Sequence, residues 1–563
     1  MRERKTWIAF IMGASLLIAF LLTRLPALDR FATIDETKWM LRSANFYQAW
    51  RHGDLINTFQ SEHPGVTIMW AGTAGFVQEF RGYALLAGEQ MPGPTKFQRF
   101  LQQQDQSPVD LLAAGRFWLL MAILVANGLS FVAAIRLIGF TPALLGFILL
   151  AFDPFLISLS RILHLDGFSS ALMLLSLLWL LDYLLNGQTW AALLISGAAA
   201  GVSWLTKSPA VFLIPFSSLL IVLAWTNGNI RTQEKFTVMG FLFQNGRIFL
   251  IWLVTGCVIG LIFWPALWVD PIGVLKEVFS KALTYTVSGN QNAIFFNGTV
   301  FGSGDSAWFY YPIAYLWRST PVTLIGLVLV PILLLVKKPA YFRVRHLQVI
   351  GALALFAGLY VLVMSLAGQK YTRYILPAML ALNLIAGIGW YWLLRLIYEP
   401  RNKPIAKFFA ITLVVTGLML SLFWGVVSTY PYYFQYFNPM FGGIRGATRV
   451  MQVGWGEGLD QAARYLNTKP DAQRLRVISW YGDAPFAYFF NGKTINMPED
   501  ATFEELLMDD YVVIYYQQYQ RQLPSPEVLA FFHDQTPEYV VTLNGLDYVE
   551  VYNREDIFST MNP

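Results

Sequence analysis

The sequence is poor in charged residues and has only one cysteine. Charged residues make up 13% of the 563 positions, about half of the share in an ordinary soluble domain. Hydrophobic residues make up 56%, and apolar runs long enough to cross a bilayer recur along the first 430 positions. This composition excludes a soluble globular protein and predicts a polytopic membrane protein.

The cysteine content also excludes two kinds of structure. Cys257 lies inside an apolar run. With a single cysteine, the chain can form neither an intrachain disulfide nor a cysteine metal cluster.

The hydropathy pattern predicts eleven membrane spans. The first follows the basic segment MRERK, and its apolar run continues to Leu22 without a cleavage site, so we interpret it as an uncleaved span. The spans cover about residues 6–23, 112–136, 141–159, 165–186, 189–206, 209–226, 248–268, 321–337, 347–367, 374–397 and 407–429.

Basic residues in the connections predict the orientation of these spans. Lysines and arginines precede span one and follow spans six, eight and ten. All of these connections lie on the same side of the membrane, and that side is expected to be cytoplasmic. The odd number of spans then places the C-terminus outside. We expect a multi-pass protein of a bacterial inner or plasma membrane, with the lipid bilayer as a partner and no nucleic acid. The residues are Arg2, Arg4, Lys5, Arg231, Lys235, Arg247, Lys337, Lys338, Arg343, Arg345, Arg401, Lys403 and Lys407.

Two domains are predicted. Residues 1–437 form the membrane domain, with large outer loops at about 25–111 and 269–320. Residues 438–563 carry 9 Lys+Arg against 17 Asp+Glu, whereas the rest of the chain carries 31 against 18. In this acidic tail strand-like runs alternate with helical ones, which predicts a small extracytoplasmic α/β domain. The predicted strands are Leu475–Trp480, Tyr511–Tyr516, Tyr539–Leu543 and Tyr548–Tyr552. In the first loop, Trp39, Phe46 and Trp50 recur at helical spacing, which favours a helix lying in the membrane interface.

Ionisable residues cluster at the outer edge of the predicted spans. Such residues are costly near a membrane and are often functional, although lysines and arginines at span ends can also extend to the lipid headgroups without any chemical role. Snorkelling does not explain the carboxylates Asp35 and Asp166. The residues are Asp35, Glu36, Arg116, Arg161, His164, Asp166, Lys207, Lys370 and Arg373.

Cations and carboxylates at one membrane edge suit transfer from a lipid phosphate. The departing phosphate needs positive charge as its bond to the sugar breaks. The acceptor needs a carboxylate that takes or orients its proton. Both groups must lie at headgroup depth, because the isoprenoid tail of such a donor stays in the bilayer.

Four sequence elements contain most of these residues. The first combines the pair Asp35-Glu36 with the later Gly53-Asp54 and His63-Pro64-Gly65. The other three are SRILHLDGFSSALM (160–173), Trp204-Leu205-Thr206-Lys207, and Gln369-Lys370-Tyr371-Thr372-Arg373-Tyr374 followed by Pro377. These elements resemble those of the GT-C glycosyltransferases, and most closely the group of protein O-mannosyltransferases and lipid A aminoarabinose transferases, in which a second proline commonly stands where this sequence has Gly65.

The resemblance implies a GT-C helical bundle and a set of functional residues. Asp35 would be the catalytic base or acceptor-orienting carboxylate, with Glu36 and Asp166 as further catalytic candidates. The donor phosphate would be bound by Arg161, Lys207, Lys370, Arg373 and Tyr374, with His63, His164 and Arg116 as additional candidates. The reaction would transfer a sugar from a polyprenyl-phosphate donor to an extracytoplasmic protein, lipid or glycan, with inversion.

The sequence leaves three questions open. Some relatives bind a divalent metal ion, which Asp35, Glu36, His63 and Asp166 could hold here, but residue spacing across separate loops does not decide this. The segment Val453–Asp460 is interpreted either as an acceptor-binding loop or, preferably, as a tight glycine turn before a helix. A transporter or lipid flippase, and a non-catalytic envelope assembly protein, remain alternatives; the chain lacks the internal repeats typical of secondary transporters.

Overall fold

The computed structural model describes residues 2–226, 238–288, 293–302, 307–338, 341–368, 370–399 and 404–561. Of the residues named above, Arg231, Lys235, Gln369, Arg401 and Lys403 lie outside these ranges.

The described part of the chain contains 25 α-helices and seven strands. Helices α1 to α13 are Arg2–Leu22, Ile34–His52, Val66–Glu79, Tyr83–Ala87, Pro94–Gln103, Pro108–Ile138, Phe140–Phe152, Pro154–Ser160, Leu165–Leu185, Trp190–Thr206, Leu213–Thr226, Val238–Phe263 and Ala266–Val269. Helices α14 to α25 are Pro271–Ser288, Tyr310–Arg318, Pro321–Val336, Val344–Leu366, Leu376–Tyr398, Pro404–Thr429, Gly443–Ala447, Leu459–Leu466, Phe503–Leu506, Tyr516–Arg521, Pro526–His533 and Arg554–Met561. Strands β1 to β7 are Ile294–Phe296, Thr299–Phe301, Arg476–Ser479, Lys493–Asn496, Tyr511–Tyr515, Tyr539–Leu543 and Leu546–Asn553.

Every predicted span falls on an apolar helix. In the described residues seven helical segments are long and apolar enough to cross a membrane, and two helix pairs, α7–α8 and α15–α16, add two more if each bent pair is one span. The first and fifth predicted spans correspond to the shorter apolar segments Trp7–Leu22 and Trp190–Thr206. The predicted fold class, an α-helical membrane bundle with a small α/β C-terminal region, is confirmed.

The bend between α7 and α8 has a local cause. Asp153 precedes Pro154, and a residue before proline is disfavoured in helical conformation. Its carboxylate accepts hydrogen bonds from the backbone N–H groups of Phe155 and Leu156 at 3.0 and 3.1 Å, which caps α8. The two helices meet at 69°, and α8 ends at Ser160, directly before the connection that carries Arg161 and His164.

The first outer loop folds into helices α2 to α5. Helix α2 begins after Thr33, whose N–H donates to the Glu36 carboxylate at 2.9 Å, and ends at Gly53 in a left-handed conformation (φ 73°). The predicted helix is therefore present. Its aromatic face turns toward the protein rather than toward lipid: Trp39 and Phe46 are buried, and the Phe46 ring lies 4.9 Å from that of Trp70 on α3.

The C-terminal region contains a five-stranded mixed sheet with the order β4-β3-β5-β7-β6. Strands β4, β3 and β5 are parallel, whereas β7 pairs antiparallel with both β5 and β6. All four predicted strands are present, and β4 was missed. Strand β4 is a short, polar edge strand that lacks the apolar run of the central β5.

Candidate functional site

Two carboxylates and a histidine lie together where α2 meets the α8–α9 connection. His164 Nε2 is 3.5 Å from Asp35 Oδ2, and His164 Nδ1 is 3.0 Å from Asp166 Oδ2. The imidazole therefore bridges two acidic side chains that come from separate parts of the chain. His164 and Asp166 are both buried, whereas the Asp35 side chain is 25% exposed.

Two cations complete this cluster. Arg373 Nη2 lies 3.2 Å from Asp35 Oδ2, and Arg373 Nε lies 3.3 Å from Asp166 Oδ2. Lys207 Nζ lies 2.5 Å from Asp166 Oδ1 and 4.0 Å from the centre of the Tyr374 ring. The structure thus brings Asp35, His164, Asp166, Lys207 and Arg373 together from four separate segments.

Helix ends and a short turn hold these side chains. Asp35 lies in the first turn of α2 and Asp166 in the first turn of α9. Lys207 follows the last residue of α10 in an extended conformation, and Arg373 lies in a 3₁₀ turn, Thr372–Ile375, that precedes α18. Carboxylates near helix N-termini are favoured by the helix dipole, so the fold positions both acids where they are stable as anions.

The neighbouring groups of the cluster favour the ionised form of the Asp35 carboxylate. Burial raises the pKa of Asp35, but the hydrogen bond to His164 and the Arg373 cation outweigh this and hold that pKa below its ordinary value. Burial lowers the pKa of His164, but hydrogen bonds to Asp166 and Asp35 exceed this effect and raise it. Burial lowers the pKa of Lys207, while the Asp166 carboxylate acts in the opposite direction.

Asp35 and Arg373 line a cavity of about 210 Å³. Its lining combines residues of α2 and of the segment 370–373 with residues of the C-terminal sheet region and with Gly454 and Trp455. Asp166 does not line this cavity and is only 4% exposed. Asp35 is therefore the carboxylate of the pair that a molecule in the cavity could reach, and Asp166 acts on it through His164 and Arg373.

Glu36 and Arg116 form a buried ion pair apart from this cluster. Arg116 Nε and Nη2 lie 2.7 and 2.5 Å from the two Glu36 carboxylate oxygens. Glu36 also accepts a hydrogen bond from the Leu163 backbone N–H at 2.7 Å. This network joins the start of α2 to α6 and to the connection that carries His164, so Glu36 and Arg116 position the cluster instead of entering the cavity.

Lys370 and Arg161, which were both predicted to bind the donor phosphate, have different surroundings. Lys370 lines the cavity, and its ammonium donates to backbone carbonyls, including that of Ser365 at 2.8 Å. Arg161 does not line it; its guanidinium donates to the carbonyls of Pro26 and Ala27 and lies 5.2 Å from the Tyr433 ring.

Neither His63 nor Tyr374 lines the cavity. Burial and the nearby Lys207 cation lower the pKa of His63 to about 4, so its imidazole is neutral at physiological pH. Tyr374 presents its ring to Lys207, which supports the cation that faces Asp166.

The glycine-rich segment forms a tight turn and also brings an aromatic ring to the cluster. Gly454, Gly456 and Gly458 all have positive φ, and a Cβ on Gly456 would lie 2.7 Å from the Ala32 carbonyl oxygen. The preferred interpretation, a turn before a helix, fits these conformations, and α21 begins at Leu459. The turn places the Trp455 ring 5.2 Å from that of His164 and 4.5 Å from the Arg373 guanidinium carbon.

The predicted metal ligands do not converge on one point. Among the residues that the structure describes, no group of three or more His, Cys, Asp or Glu side chains could hold a metal ion. Glu36 is engaged by Arg116, and Asp35 and Asp166 are matched by Arg373, Lys207 and His164. The side chains that the structure describes here do not fit a metal centre.

Sequence reasoning did not identify several residues of the cavity wall. Trp480, Tyr481, Gln517 and Arg521 line it from the C-terminal region, and Lys38 lines it from α2. A signal existed for the first group, since ligands commonly bind beyond the carboxyl ends of parallel strands. The sequence alone did not show that β3, β4 and β5 are parallel.

Residues 111–263 match the family model of the dolichyl-phosphate-mannose-protein mannosyltransferases. This region contains Arg161, His164, Asp166 and Lys207. Over these residues, the match confirms the resemblance to the O-mannosyltransferase group and with it the predicted class of enzyme, a membrane glycosyltransferase. No curated protein matches the chain with significant similarity.

Three solved structures resemble this chain at low similarity. ArnT from Cupriavidus metallidurans bound to undecaprenyl phosphate is 14% identical, with 97% of this chain and 98% of that one covered and a TM-score of 0.48. The archaeal oligosaccharyltransferase AglB from Archaeoglobus fulgidus, in complex with an inhibitory peptide and a dolichol-phosphate, is 11% identical, with 98% and 74% covered and a TM-score of 0.43. The Pmt1–Pmt2 complex of S. cerevisiae, bound to the sugar donor, is 17% identical, with 47% and 34% covered and a TM-score of 0.36.

Proposed function

We propose that this protein transfers a sugar from a polyprenyl-phosphate donor to an acceptor on the outer side of the membrane, with inversion at the anomeric carbon. The observation that carries the proposal is the Asp35 carboxylate at the cavity wall, within 3.2 Å of Arg373. A base for the acceptor and a cation for the leaving phosphate therefore line the same cavity.

In this mechanism the acceptor hydroxyl or amine gives its proton to Asp35 as its oxygen or nitrogen bonds to the anomeric carbon. The bond between that carbon and the phosphate oxygen breaks, and its electron pair leaves with the phosphate. Arg373 and Lys370, which both line the cavity, neutralise the departing charge. Lys207 is the next cation behind them, in contact with Asp166.

Donor binding would also activate the base. Arg373 and His164 hold the pKa of Asp35 low, and a carboxylate of low pKa is a weak base. A phosphate that engages Arg373 draws this cation away from Asp35. The pKa of Asp35 then rises toward its ordinary value, so the base becomes stronger when the donor is present.

The distribution of charge supports an external position for the cavity. Arg343 and Arg345 lie at the start of α17 and Arg395 near the end of α18, which are the helix ends opposite to Lys370 and Arg373. A basic end of the bundle is expected to face the cytoplasm. The cavity and the C-terminal region of residues 438–563 would then lie outside.

Turnover of a labelled donor tests this proposal. Purified protein in lipid nanodiscs is supplied with polyprenyl-phosphate carrying a radiolabelled sugar, and free polyprenyl phosphate is measured. A glycosyltransferase breaks the bond between sugar and phosphate and releases the lipid phosphate, with water or a cell-envelope extract as acceptor. A flippase moves the donor intact, so a donor that is bound but remains uncleaved would contradict the proposal.

A further inference from the structure

The C-terminal sheet directs the ends of its three parallel strands toward the cavity. Trp480 and Tyr481 directly follow β3, Glu499 follows β4 by three residues, and Gln517 and Arg521 lie on α23, which begins where β5 ends. All five residues line the same cavity as Asp35. The carboxyl edge of a parallel sheet is a common ligand site, and the reaction chemistry described above uses none of these residues.

Tyr481 is held in an unusual conformation at this edge. Its φ of 57° and ψ of 37° are left-handed, which is rare for a residue with a bulky side chain and suggests a function where surrounding contacts maintain it. Its hydroxyl donates to Gln517 Oε1 at 2.5 Å, and the next N–H, that of Gly482, donates to Asn496 Oδ1 at 2.9 Å. The ring of Tyr481 lies 5.7 Å from that of Trp480, so the two rings form one aromatic surface.

Arg521 adds polar binding capacity beside these rings. Arg521 is 8% exposed, and its Nη2 donates to the Glu499 carboxylate at 2.9 Å. The Nε atom is buried and has no hydrogen-bond partner within the described part of the chain. The guanidinium carries five N–H donors, and Arg521 lines the cavity, which makes it a candidate donor to a ligand there.

We propose that Trp480, Tyr481, Gln517, Glu499 and Arg521 form an acceptor subsite for a carbohydrate, so that the C-terminal domain selects a glycan or glycolipid headgroup as the acceptor. This inference rests on the proposed function, because it places an acceptor in the same cavity as the base. An aromatic surface binds the C–H face of a sugar ring, while the carboxylate, amide and guanidinium provide acceptors and donors for its hydroxyls. One hydroxyl of that sugar would then point to Asp35.

A peptide acceptor fits this wall less well. An extended peptide is commonly bound along an exposed strand edge or in an apolar groove, whereas this wall presents strand ends, two flat rings and charged groups.

Binding by the full-length protein in detergent tests the subsite. The probes are a panel of soluble oligosaccharides, neutral and acidic, and a peptide rich in serine and threonine. Tyr481→Asn removes the ring with a residue that tolerates left-handed backbone, and Tyr481→Phe restores the ring. Arg521→Gln removes the cation, and Arg554→Gln, which breaks the ion pair with Asp510 outside the cavity, is its matched control.

At least one oligosaccharide should bind the wild type, with affinity about three- to tenfold lower in Tyr481→Asn and roughly ten- to a hundredfold lower in Arg521→Gln. Tyr481→Phe and Arg554→Gln should bind like the wild type. Binding of the peptide alone, binding of no oligosaccharide, or equal affinity in all variants would each overturn the proposal. Binding and cleavage of the labelled lipid donor are measured separately, so loss of donor turnover with carbohydrate binding retained would contradict only the proposed transferase function.

Discussion

Arg373 contacts both carboxylates of the cluster, with Nη2 3.2 Å from Asp35 Oδ2 and Nε 3.3 Å from Asp166 Oδ2. One guanidinium thus contacts both Asp35, which lines the cavity, and Asp166, which does not. The arrangement explains how Asp35 is kept ionised and aligned without a donor. It also makes Arg373 the group through which a bound phosphate would change the strength of the base.

Lys370 and Arg161 are expected to differ, although the sequence predicts phosphate binding by both. Lys370→Gln should weaken donor binding about tenfold to a hundredfold, because a charged hydrogen bond to the donor phosphate is lost. Arg161→Gln should instead lower stability, since its guanidinium joins the carbonyls of Pro26 and Ala27 to α8. Donor affinity and thermal unfolding of the two purified variants check this. Equal loss of donor affinity at unchanged stability in both would show that Arg161 also binds the phosphate.

Glu36 should tolerate substitution poorly for a structural reason. Its pairing with Arg116 is fully buried, and removing one partner of such a pair leaves an uncompensated charge, at a cost of about 3–5 kcal/mol. Glu36→Gln is therefore expected to lower the thermal unfolding temperature and the yield of folded protein. Asp54→Asn, at an exposed acid just after α2, is the control and should behave like the wild type. A stable Glu36→Gln protein that fails only in sugar transfer would support the catalytic role considered from the sequence.

The environment of Asp460 predicts a dependence of stability on pH. Burial raises the pKa of Asp460 to about 7, while the Tyr432 hydroxyl, 2.9 and 3.0 Å from its oxygens, opposes this. A carboxyl whose pKa is raised by folding stabilises the folded state when it is protonated, and this stability is lost as pH rises from about 4 to about 7. Unfolding temperatures of the wild type between pH 5 and 8 should fall more steeply than those of Asp460→Asn. Asp534→Asn, at an exposed acid, is the control; parallel curves for Asp460→Asn and the wild type would contradict the raised pKa.

The orientation of the bundle can be tested with single cysteines in a Cys257→Ala background. Glu527→Cys, exposed at the start of α24, should react with an impermeant thiol reagent in intact cells. Lys338→Cys, exposed in the connection between α16 and α17, should react only after lysis. The reverse pattern would place the cavity on the cytoplasmic side and contradict the proposed donor access.

The sequence predicted the helices and the charged cluster well for physical reasons. Long apolar runs and sparse charges at span ends are local signals, so Asp35, Asp166, Lys207 and Arg373 could be identified one by one. The distinct roles of Glu36 and Asp35 could not, because they depend on which carboxylate meets Arg116 across 80 positions of the chain. The wall formed by Tyr481 and Arg521 was missed since it depends on the parallel pairing of β3 and β5 and on how the sheet lies against the bundle.

The Asp35→Asn variant provides the most direct test of the account. Asparagine keeps the size of the side chain and its hydrogen bonds but cannot accept a proton at physiological pH. Sugar transfer from a labelled polyprenyl-phosphate donor by the purified variant should fall by about 10²–10⁴-fold, with donor binding retained, and Asp54→Asn should transfer at the wild-type rate. Transfer by Asp35→Asn at the wild-type rate would contradict the assignment of the base.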